Sequence, residues 1–305
     1  MSLISPQPQR EVGATGRERV GLIAGSGSLP LLLAHHVGGV LGHPLVVAAH
    51  EGETSPAIEQ QADQVLWVKL GRFKRILNFF KHHQVQWVVL AGGITKTAIW
   101  RVRPDALALR MVLRLRHLHD DLLLRAVASE LEAWGFQVKS VVALVPELLA
   151  TAGVLSQRQP DPQHWDDLIL GWQAAQTLGS LDIGQGVVVK RKVVVAVEAI
   201  EGTDAMIQRA GALIRGHSRA GGGDAVMVKI CKPQQDKRLD LPTVGPQTLE
   251  NLHKAGIAVL AIEAGGTLVL DPEVTIRLAN RNKQVFVACT RAQMENASCG
   301  YGPLF

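Results

Sequence analysis

A chain of 305 residues with 47% hydrophobic residues is long enough for two buried cores, so we expect two domains. Its formal net charge of +5 at pH 7 suits an anionic small substrate or a membrane surface. Aromatic residues are only 4% of the chain and no block of basic residues occurs, which argues against nucleic acid as a partner.

The termini and cysteines bear on location. Residues 1–18 are polar, lack the apolar segment of a signal peptide, and are predicted to be a disordered tail. No apolar run approaches the ~20 residues of a membrane-spanning helix. Three cysteines without zinc spacing favour a reducing compartment. We therefore expect a cytoplasmic protein, and contact with a membrane surface stays open.

The first element is a strand, Val20–Ala24, followed by a glycine-rich turn, Gly25–Pro30, and a helix, Leu31–Val40. Such a turn directs backbone N–H groups at a phosphate. Pro30 replaces the third glycine of the dinucleotide fingerprint, which leaves NAD binding as the weaker alternative. The candidate substrate-binding residues of this turn are Gly25, Ser26 and Gly27.

Strands alternate with helices through the rest of the first half. The predicted strands are Leu45–Ala49, Val65–Lys69, Gln86–Ala91 and Val138–Leu144, and a helix is predicted at Phe73–Lys81. This alternation predicts a Rossmann-like parallel-sheet domain over residues 19–150. Gly92 and Lys96 follow a strand's carboxyl end, where open α/β sheets bind ligands, and are candidate substrate-binding residues. For Lys96, a surface lysine on a tight turn is an equal alternative.

Two helical stretches close the first half. Residues 99–116 mix arginines with leucines, which fits either an interfacial helix for anionic lipid or, more simply, a partly buried helix. Asp120 and Asp121 then open a helix that ends at Gly135. Helix capping by Asp120 and dipole complementation by Asp121 explain both acids without any chemistry.

The second half follows a linker at residues 151–164 and is predicted to be an α/β catalytic domain, residues 165–305. Val187–Val189 and Val193–Val197 predict a β-hairpin. Its end carries three carboxylates within seven residues, before a helix at about residue 205. Asp204 reads as the helix cap, whereas Glu198 and Glu201 have no such explanation.

The loop Lys232–Pro242 is the stretch around which the chemistry is organised. It follows a predicted strand, Ala225–Ile230, and holds two carboxylates and three cations between two prolines. This composition suits a divalent metal beside a phosphate, although a solvated turn with charge pairs would look similar. A helix from Pro246 to Ala255 follows, with Gly256 as its stop.

The chain then continues with a strand, Ile257–Ile262, and a hairpin arm, Thr267–Leu270. Asp271 is predicted to cap the next helix, with proline at its first position. A last strand, Gln284–Ala288, leads into a tail.

Carboxylates that capping does not explain gather at strand ends of the second half: Glu198, Glu201, Asp224, Asp236, Asp240 and Glu263. Oxygen ligands favour Mg²⁺, with Mn²⁺ as the alternative. The loop cations Lys232 and Arg238 could stabilise anionic oxygens as charge develops. The inferred reaction class is metal-assisted phosphoryl transfer or hydrolysis.

Five strings carry a resemblance to a known family: Gly21–Pro30, Asp120–Asp121, Leu181–Gln185, Ala196–Asp204 and Lys232–Pro242. They resemble the bacterial UDP-2,3-diacylglucosamine pyrophosphatases of lipid A biosynthesis, the LpxI type. The resemblance implies Mg²⁺-dependent hydrolysis of UDP-2,3-diacylglucosamine to UMP and 2,3-diacylglucosamine 1-phosphate (lipid X). It also implies two α/β domains with the active site in the cleft between them. The essential aspartate would be Asp240, with Asp236 as second choice.

The expected site follows from both lines of inference. The candidate catalytic residues are Asp240, Asp236, Lys232 and Arg238, the substrate-binding residues include Gln185, Thr203 and Gln235, and the metal ligands are Asp240, Asp236, Glu198 and Glu201. A homo-oligomer and a peripheral position at the inner face of the inner membrane stay open. The rival functions are a non-catalytic module that binds nucleotide-sugars or lipids and an NAD-dependent oxidoreductase.

Overall fold

The computed structural model describes residues 17–94, 102–115, 120–216 and 224–298. The predicted tail, residues 1–18, lies outside this range except for its last two residues, and Lys96 lies outside it altogether. Part of the arginine- and leucine-rich stretch, residues 99–116, also falls outside. None of the helices in the described part of the chain has both the length and the apolar character that a membrane crossing requires.

The first half is built on a five-stranded parallel sheet. Its elements, in chain order, are β1 (Val20–Ala24), α1 (Leu29–His35), β2 (Leu45–His50), β3 (Gln64–Val68), α2 (Phe73–His82), β4 (Trp87–Ala91), α3 (Ala106–Leu113), α4 (Asp120–Ala133), β5 (Gln137–Val138) and α5 (Val141–Leu144). The strand order is β3-β2-β1-β4-β5, as in doubly wound sheets. Along β2, Val47 joins the core on one face and Val46 the core on the other. The predicted parallel sheet, covered on both faces, is confirmed.

The second half contains a six-stranded mixed sheet. Its elements are β6 (Gly153–Val154), α6 (Pro162–Ser180), β7 (Gly186–Lys190), β8 (Val193–Val197), α7 (Thr203–Gly216), β9 (Ala225–Lys229), β10 (Thr243–Val244), α8 (Pro246–Ala255), β11 (Ile257–Glu263), β12 (Leu268–Val269), α9 (Pro272–Arg281), β13 (Val285–Cys289) and α10 (Arg291–Ser298). The strand order is β6-β13-β11-β9-β7-β8. β9, β11 and β13 run parallel, whereas β6, β7 and β8 pair antiparallel. The predicted mixed α/β class is confirmed.

One predicted strand and one predicted strand pairing were wrong. Residues 138–144 are mostly the helix α5, because the Ser140 hydroxyl accepts a hydrogen bond from the Ala143 N–H at 3.1 Å and caps it. The predicted hairpin arm at 267–270 is instead β12, which pairs in parallel with β10. The predicted C-terminal tail contains α10.

Two helix N-termini and one predicted helix cap also differ from prediction. α1 begins at Leu29 rather than Leu31 and passes into a π-helical turn at residues 36–40. α7 begins at Thr203, so Asp204 lies in its first turn and is not the cap. α9 starts where expected, but Asp271 has a φ of 42° and makes no capping hydrogen bond with its side chain.

The β7–β8 hairpin has a two-residue turn, Arg191 and Lys192, at φ of 51° and 61°. Asparagine and glycine are the usual residues there, because a Cβ is unfavourable at positive φ. The carboxylate of Asp167, fully buried in α6, accepts the Arg191 N–H at 2.8 Å and the Lys192 N–H at 2.5 Å. Two charge-assisted bonds therefore offset the strain of this turn.

We expect Asp167→Ala to lower the free energy of unfolding by about 3 kcal/mol, because two backbone N–H groups lose a charged acceptor. Asp166→Ala is the matched control. Its carboxylate is half exposed and pairs with the exposed Lys192 ammonium at 3.0 Å, so a loss below about 1 kcal/mol is expected. Urea denaturation followed by circular dichroism measures both, and equal losses would contradict the assigned role of Asp167.

Candidate active site

A cavity of about 540 Å³ is lined by residues of both halves. The first half contributes the loops that follow β1 and β4, and the second half contributes the ends of β7 and β9, the first turns of α7 and α8, and the end of the 232–242 loop. Its polar wall includes Ser26, Gly27, Gly92, Gly93, Gln185, Asp204, Lys229, Lys237, Arg238, Asp240, Gln247 and Thr248.

The two glycine-bearing loops of the first half are joined backbone to backbone. The Ser26 N–H donates to Gly93 O at 2.7 Å, and the Gly93 N–H donates to Ser26 O at 3.2 Å. Gly25 lies behind them, and its N–H donates to Ala91 O at 2.8 Å. Gly92 has a φ of 88°, a conformation that favours glycine. This pairing places Ser26, Gly27 and Gly92 on the cavity wall and leaves Gly25 as its support.

The 232–242 loop is held at its start by a buried ion pair. Lys232 Nζ lies 2.5 Å from Asp182 Oδ1, and each side chain is only 10% exposed. The Lys232 N–H also donates to Gln235 Oε1 at 3.2 Å. Lys232 therefore anchors the loop and does not line the cavity.

Gln235 connects this anchor to Asp240. Its Nε2 donates to Asp240 Oδ2 at 2.6 Å, so one side chain bonds both ends of the loop. Gln235 is not part of the cavity wall, whereas Asp240 is exposed on it. Among the four predicted metal ligands, Asp240 is the one on the wall.

Asp236 faces a cation rather than the cavity. Its carboxylate accepts from Arg238 Nε at 3.2 Å and from Nη2 at 2.9 Å. The Arg238 guanidinium holds the pKa of the Asp236 carboxyl below its usual value. Arg238 itself lines the cavity and lies 3.5 Å from Glu132 in α4.

Helix α4 of the first half binds the same loop from the other side. Asp121 Oδ1 accepts the Asp236 N–H at 3.0 Å, and Arg125 Nη2 donates to Gln234 O at 2.5 Å. Arg125 and Asp121 are themselves paired at 2.8 Å. Asp121, which the sequence explains by the helix dipole alone, thus fixes the loop across the two halves.

Glu198 and Thr203 form a buried network with Lys229. Glu198 is 7% exposed, and its Oε1 accepts from Thr203 Oγ1 at 2.7 Å. The Thr203 hydroxyl accepts from Lys229 Nζ at 3.1 Å, and Nζ also donates to Thr243 O at 3.0 Å. Thr203 lies behind the wall, whereas Lys229 and Gln185 are part of it.

The predicted metal ligands do not converge. In the described ranges, no group of three or more His, Cys, Asp or Glu side chains could hold a metal ion by itself. Glu198 turns inward to Thr203, and Glu201 pairs with Arg209 at 2.6 Å, which lowers the pKa of its carboxyl. Asp236 pairs with Arg238. Glu198 and Glu201 lie in the connection between β8, which ends at Val197, and α7, and they diverge there because each is held by a different partner.

The other two unexplained acids have structural partners. Asp224 pairs with Arg191 at 3.2 Å. Glu263, 3% exposed, accepts the Cys231 N–H at 3.1 Å and lies 3.3 Å from the Arg291 guanidinium. Burial raises the pKa of the Cys231 thiol to about 12, so it is not a ready nucleophile.

Three wall features were missed from the sequence. Lys229 is the one charged residue of the otherwise apolar strand β9, and a charge at a strand's carboxyl end is the signal that could have identified it. Asp204 was assigned to helix capping, but it lies on the wall. The first turn of α8, with Gln247 and Thr248, was treated only as a helix start.

The chain matches known proteins over most of its length. Residues 19–148 match the LpxI N-terminal domain, and residues 151–287 match the LpxI C-terminal domain. The UDP-2,3-diacylglucosamine pyrophosphatase LpxI of Caulobacter vibrioides is 36% identical over 270 residues, which cover 86% of this chain and 94% of that protein.

Solved structures give weaker likenesses. The biotin carboxylase domain of a single-chain bacterial carboxylase has a TM-score of 0.26 and 16% identity, covering 53% of this chain and 29% of that one. The biotin carboxylase domain of Hydrogenobacter thermophilus 2-oxoglutarate carboxylase has a TM-score of 0.28 and 11% identity, covering 67% and 42%. The chain thus spans less than half of either solved chain, and neither likeness bears on function. Because both LpxI domains match in order and nearly end to end, the chain belongs to the LpxI family.

Proposed function

We propose that this protein hydrolyses the diphosphate of UDP-2,3-diacylglucosamine in lipid A biosynthesis, producing UMP and 2,3-diacylglucosamine 1-phosphate (lipid X). Family membership and the activity named for the C. vibrioides relative support the reaction. The observation that carries the proposal is the position of Asp240 on the wall of a cavity shared by both halves. The active site would then lie between the two domains.

The cavity has the size and charge for a nucleoside diphosphate. Its volume of about 540 Å³ lies within the usual range of small-molecule sites. Lys229, Lys237 and Arg238 supply positive charge on one wall. On the other wall the Ser26 and Gly93 N–H groups bond the two loops to each other, so the backbone of Gly27 and Gly92 is what these loops offer to a ligand. Cations and backbone N–H groups are the usual partners of phosphate oxygens.

The carboxylates on the wall fit Mg²⁺, with Mn²⁺ as the alternative. Asp240 and Asp204 are both exposed there, and Mg²⁺ is commonly held by one or two carboxylates together with substrate phosphates. When bound, the ion would neutralise phosphate charge and activate the attacking water. We assign Asp240 as its main protein ligand, because Asp236, Glu198 and Glu201 are engaged elsewhere.

The protein's own groups orient the reaction. Gln235 fixes Oδ2 of Asp240 by a bond of 2.6 Å, which limits the rotation of the carboxylate. The Asp121 and Arg125 contacts hold the loop that carries Asp240 against the first half. Preorganised charges of this kind need no rearrangement as negative charge develops on the phosphate.

Turnover decides between this enzyme and a non-catalytic binding module. Purified protein with UDP-2,3-diacylglucosamine and Mg²⁺ is expected to release UMP, measured by chromatography. Chelation with EDTA is expected to stop the release, because two carboxylates cannot replace the ion's charge, and Mg²⁺ or Mn²⁺ is expected to restore it. Substrate binding without UMP release under any of these conditions would favour the binding module, and activity that survives EDTA would remove the metal from the proposal.

Helix α3 bears on the proposed membrane association. Leu109 and Leu113 are 46% and 75% exposed, and Arg110 and Arg114 lie beside them in the chain. An apolar and basic surface of this kind is typical of helices that lie on anionic lipid. Peripheral association with the inner membrane and homo-oligomer formation remain predictions.

A further inference from the structure

Lys229 is a buried lysine on the cavity wall. Its side chain is the last of strand β9 and only 6% exposed. No ion pair joins it to a carboxylate in the part of the chain that the structure describes. Lysine is rarely buried without an anionic partner, because burial removes the water that solvates its charge.

The same loop region offers a direct comparison. Lys232 is also nearly buried, and Asp182 lies 2.5 Å from its Nζ. The hydrogen-bond partners of Lys229 Nζ are neutral: the Thr203 hydroxyl at 3.1 Å and the Thr243 carbonyl at 3.0 Å. An ammonium has three N–H donors, so these bonds use two of them. Lys232 contacts a carboxylate directly, whereas Lys229 is linked to one, Glu198, only through the Thr203 hydroxyl and keeps one N–H donor for a ligand.

A second polar feature lies on the same wall. The first turn of α8 lines the cavity through Gly245, Gln247 and Thr248. The helix has ten residues, and the positive end of its dipole faces the cavity that Lys229 lines. The wall therefore combines a fixed cation with a helix N-terminus.

We infer that Lys229 is a phosphate-binding residue of the diphosphate site, and that Thr203 and Glu198 are positioning residues that hold its ammonium towards the cavity. Glu198 Oε1 orients the Thr203 hydroxyl at 2.7 Å, and this hydroxyl in turn accepts from Lys229. Thr203 is thus an intermediary between a carboxylate and a cation. This inference rests on the proposed function and deepens it, since it names the group that binds the phosphate.

The first test measures Lys229→Met against Lys254→Met, a control lysine exposed on α8 and away from the wall. We expect Lys229→Met to lower kcat/KM for UDP-2,3-diacylglucosamine about 10²–10³-fold. Calorimetric titration with inorganic pyrophosphate is expected to show affinity weakened about tenfold or more. The control should stay within about twofold of wild type in both measurements.

The second test uses Thr203, where a matched pair separates positioning from packing. Thr203→Val keeps the shape and removes the hydroxyl, and is expected to lower kcat/KM about tenfold. Thr203→Ser retains the hydroxyl and is expected to restore most of that loss. If Lys229→Met does not fold, this pair still decides the inference, because equal activity of the valine and serine variants would contradict it.

The outcomes separate the inference from the proposed function. If the wild-type protein releases UMP, and Lys229→Met keeps kcat/KM within about twofold of wild type with unchanged pyrophosphate affinity, the inference is overturned and the proposed function stands. Wild-type protein that binds pyrophosphate through Lys229 but releases no UMP would overturn the proposed function and leave the phosphate site in place.

Discussion

Replacing Asp240 by asparagine is expected to lower kcat for UDP-2,3-diacylglucosamine about 10³-fold, because a charged metal ligand contributes several kcal/mol of transition-state stabilisation. The carboxylate lies exposed on the cavity wall, and Gln235 holds one of its oxygens at 2.6 Å. Asparagine keeps the shape and one oxygen but loses the negative charge. Initial rates of UMP release at saturating substrate and Mg²⁺ measure the effect.

Asp236→Asn is the matched control, four residues earlier on the same loop. Its carboxylate pairs with Arg238 and is not on the wall, so we expect a loss of less than about tenfold. If Asp236→Asn lost most of its activity and Asp240→Asn stayed active, Asp236 rather than Asp240 would be the metal ligand. Thermal unfolding of both variants separates catalysis from stability, because neither substitution removes a buried apolar side chain.

Local patterns were sufficient for the elements that bury apolar runs. The strands β1, β2, β4 and β11 were predicted within one residue at either end, because short runs of Val, Ile, Leu and Ala bounded by glycines or turns predict buried strands. The hairpin at 187–197 was also predicted, because a run of valines lies on each side of a short basic turn. The order of the parallel strands depends on pairing between distant segments and did not follow from the pattern.

The contacts that build the site could not be predicted from local sequence patterns for the same reason. Asp121 and Asp236 are 115 residues apart in sequence, and their hydrogen bond depends on how the two halves pack. Glu198 and Glu201 look equivalent in sequence, yet one is buried against Thr203 and the other pairs with Arg209 on the surface of α7. The sequence supplied the residue types of the site, and the packing decided which of them reach the cavity.

Gly25→Ala is expected to lower kcat/KM about 10²-fold, because a shift of about 1 Å in a substrate-positioning wall has effects of that size. A Cβ at Gly25 would lie 2.3 Å from Gly93 O and 2.9 Å from Gly92 C. Both contacts are with backbone, so no side chain can rotate away and the two loops must separate. This separation would break the bonds between Ser26 and Gly93 that shape the wall. We also expect a lower melting temperature, since those bonds join the ends of β1 and β4.

Gly52→Ala distinguishes this steric effect from the general cost of adding a side chain at a glycine. Gly52 has a φ of 79°, a Cβ added to it would meet no atom within 4 Å, and it is not on the cavity wall. Alanine there is expected to cost about 1 kcal/mol of stability through backbone strain and to leave kcat/KM near the wild-type value. Because Gly25 carries the close contact without a positive φ, and Gly52 the positive φ without a contact, the pair separates sterics from strain. Equal activity in the two variants would mean that the cavity wall tolerates separation of its loops, and that the glycine turn does not position the substrate.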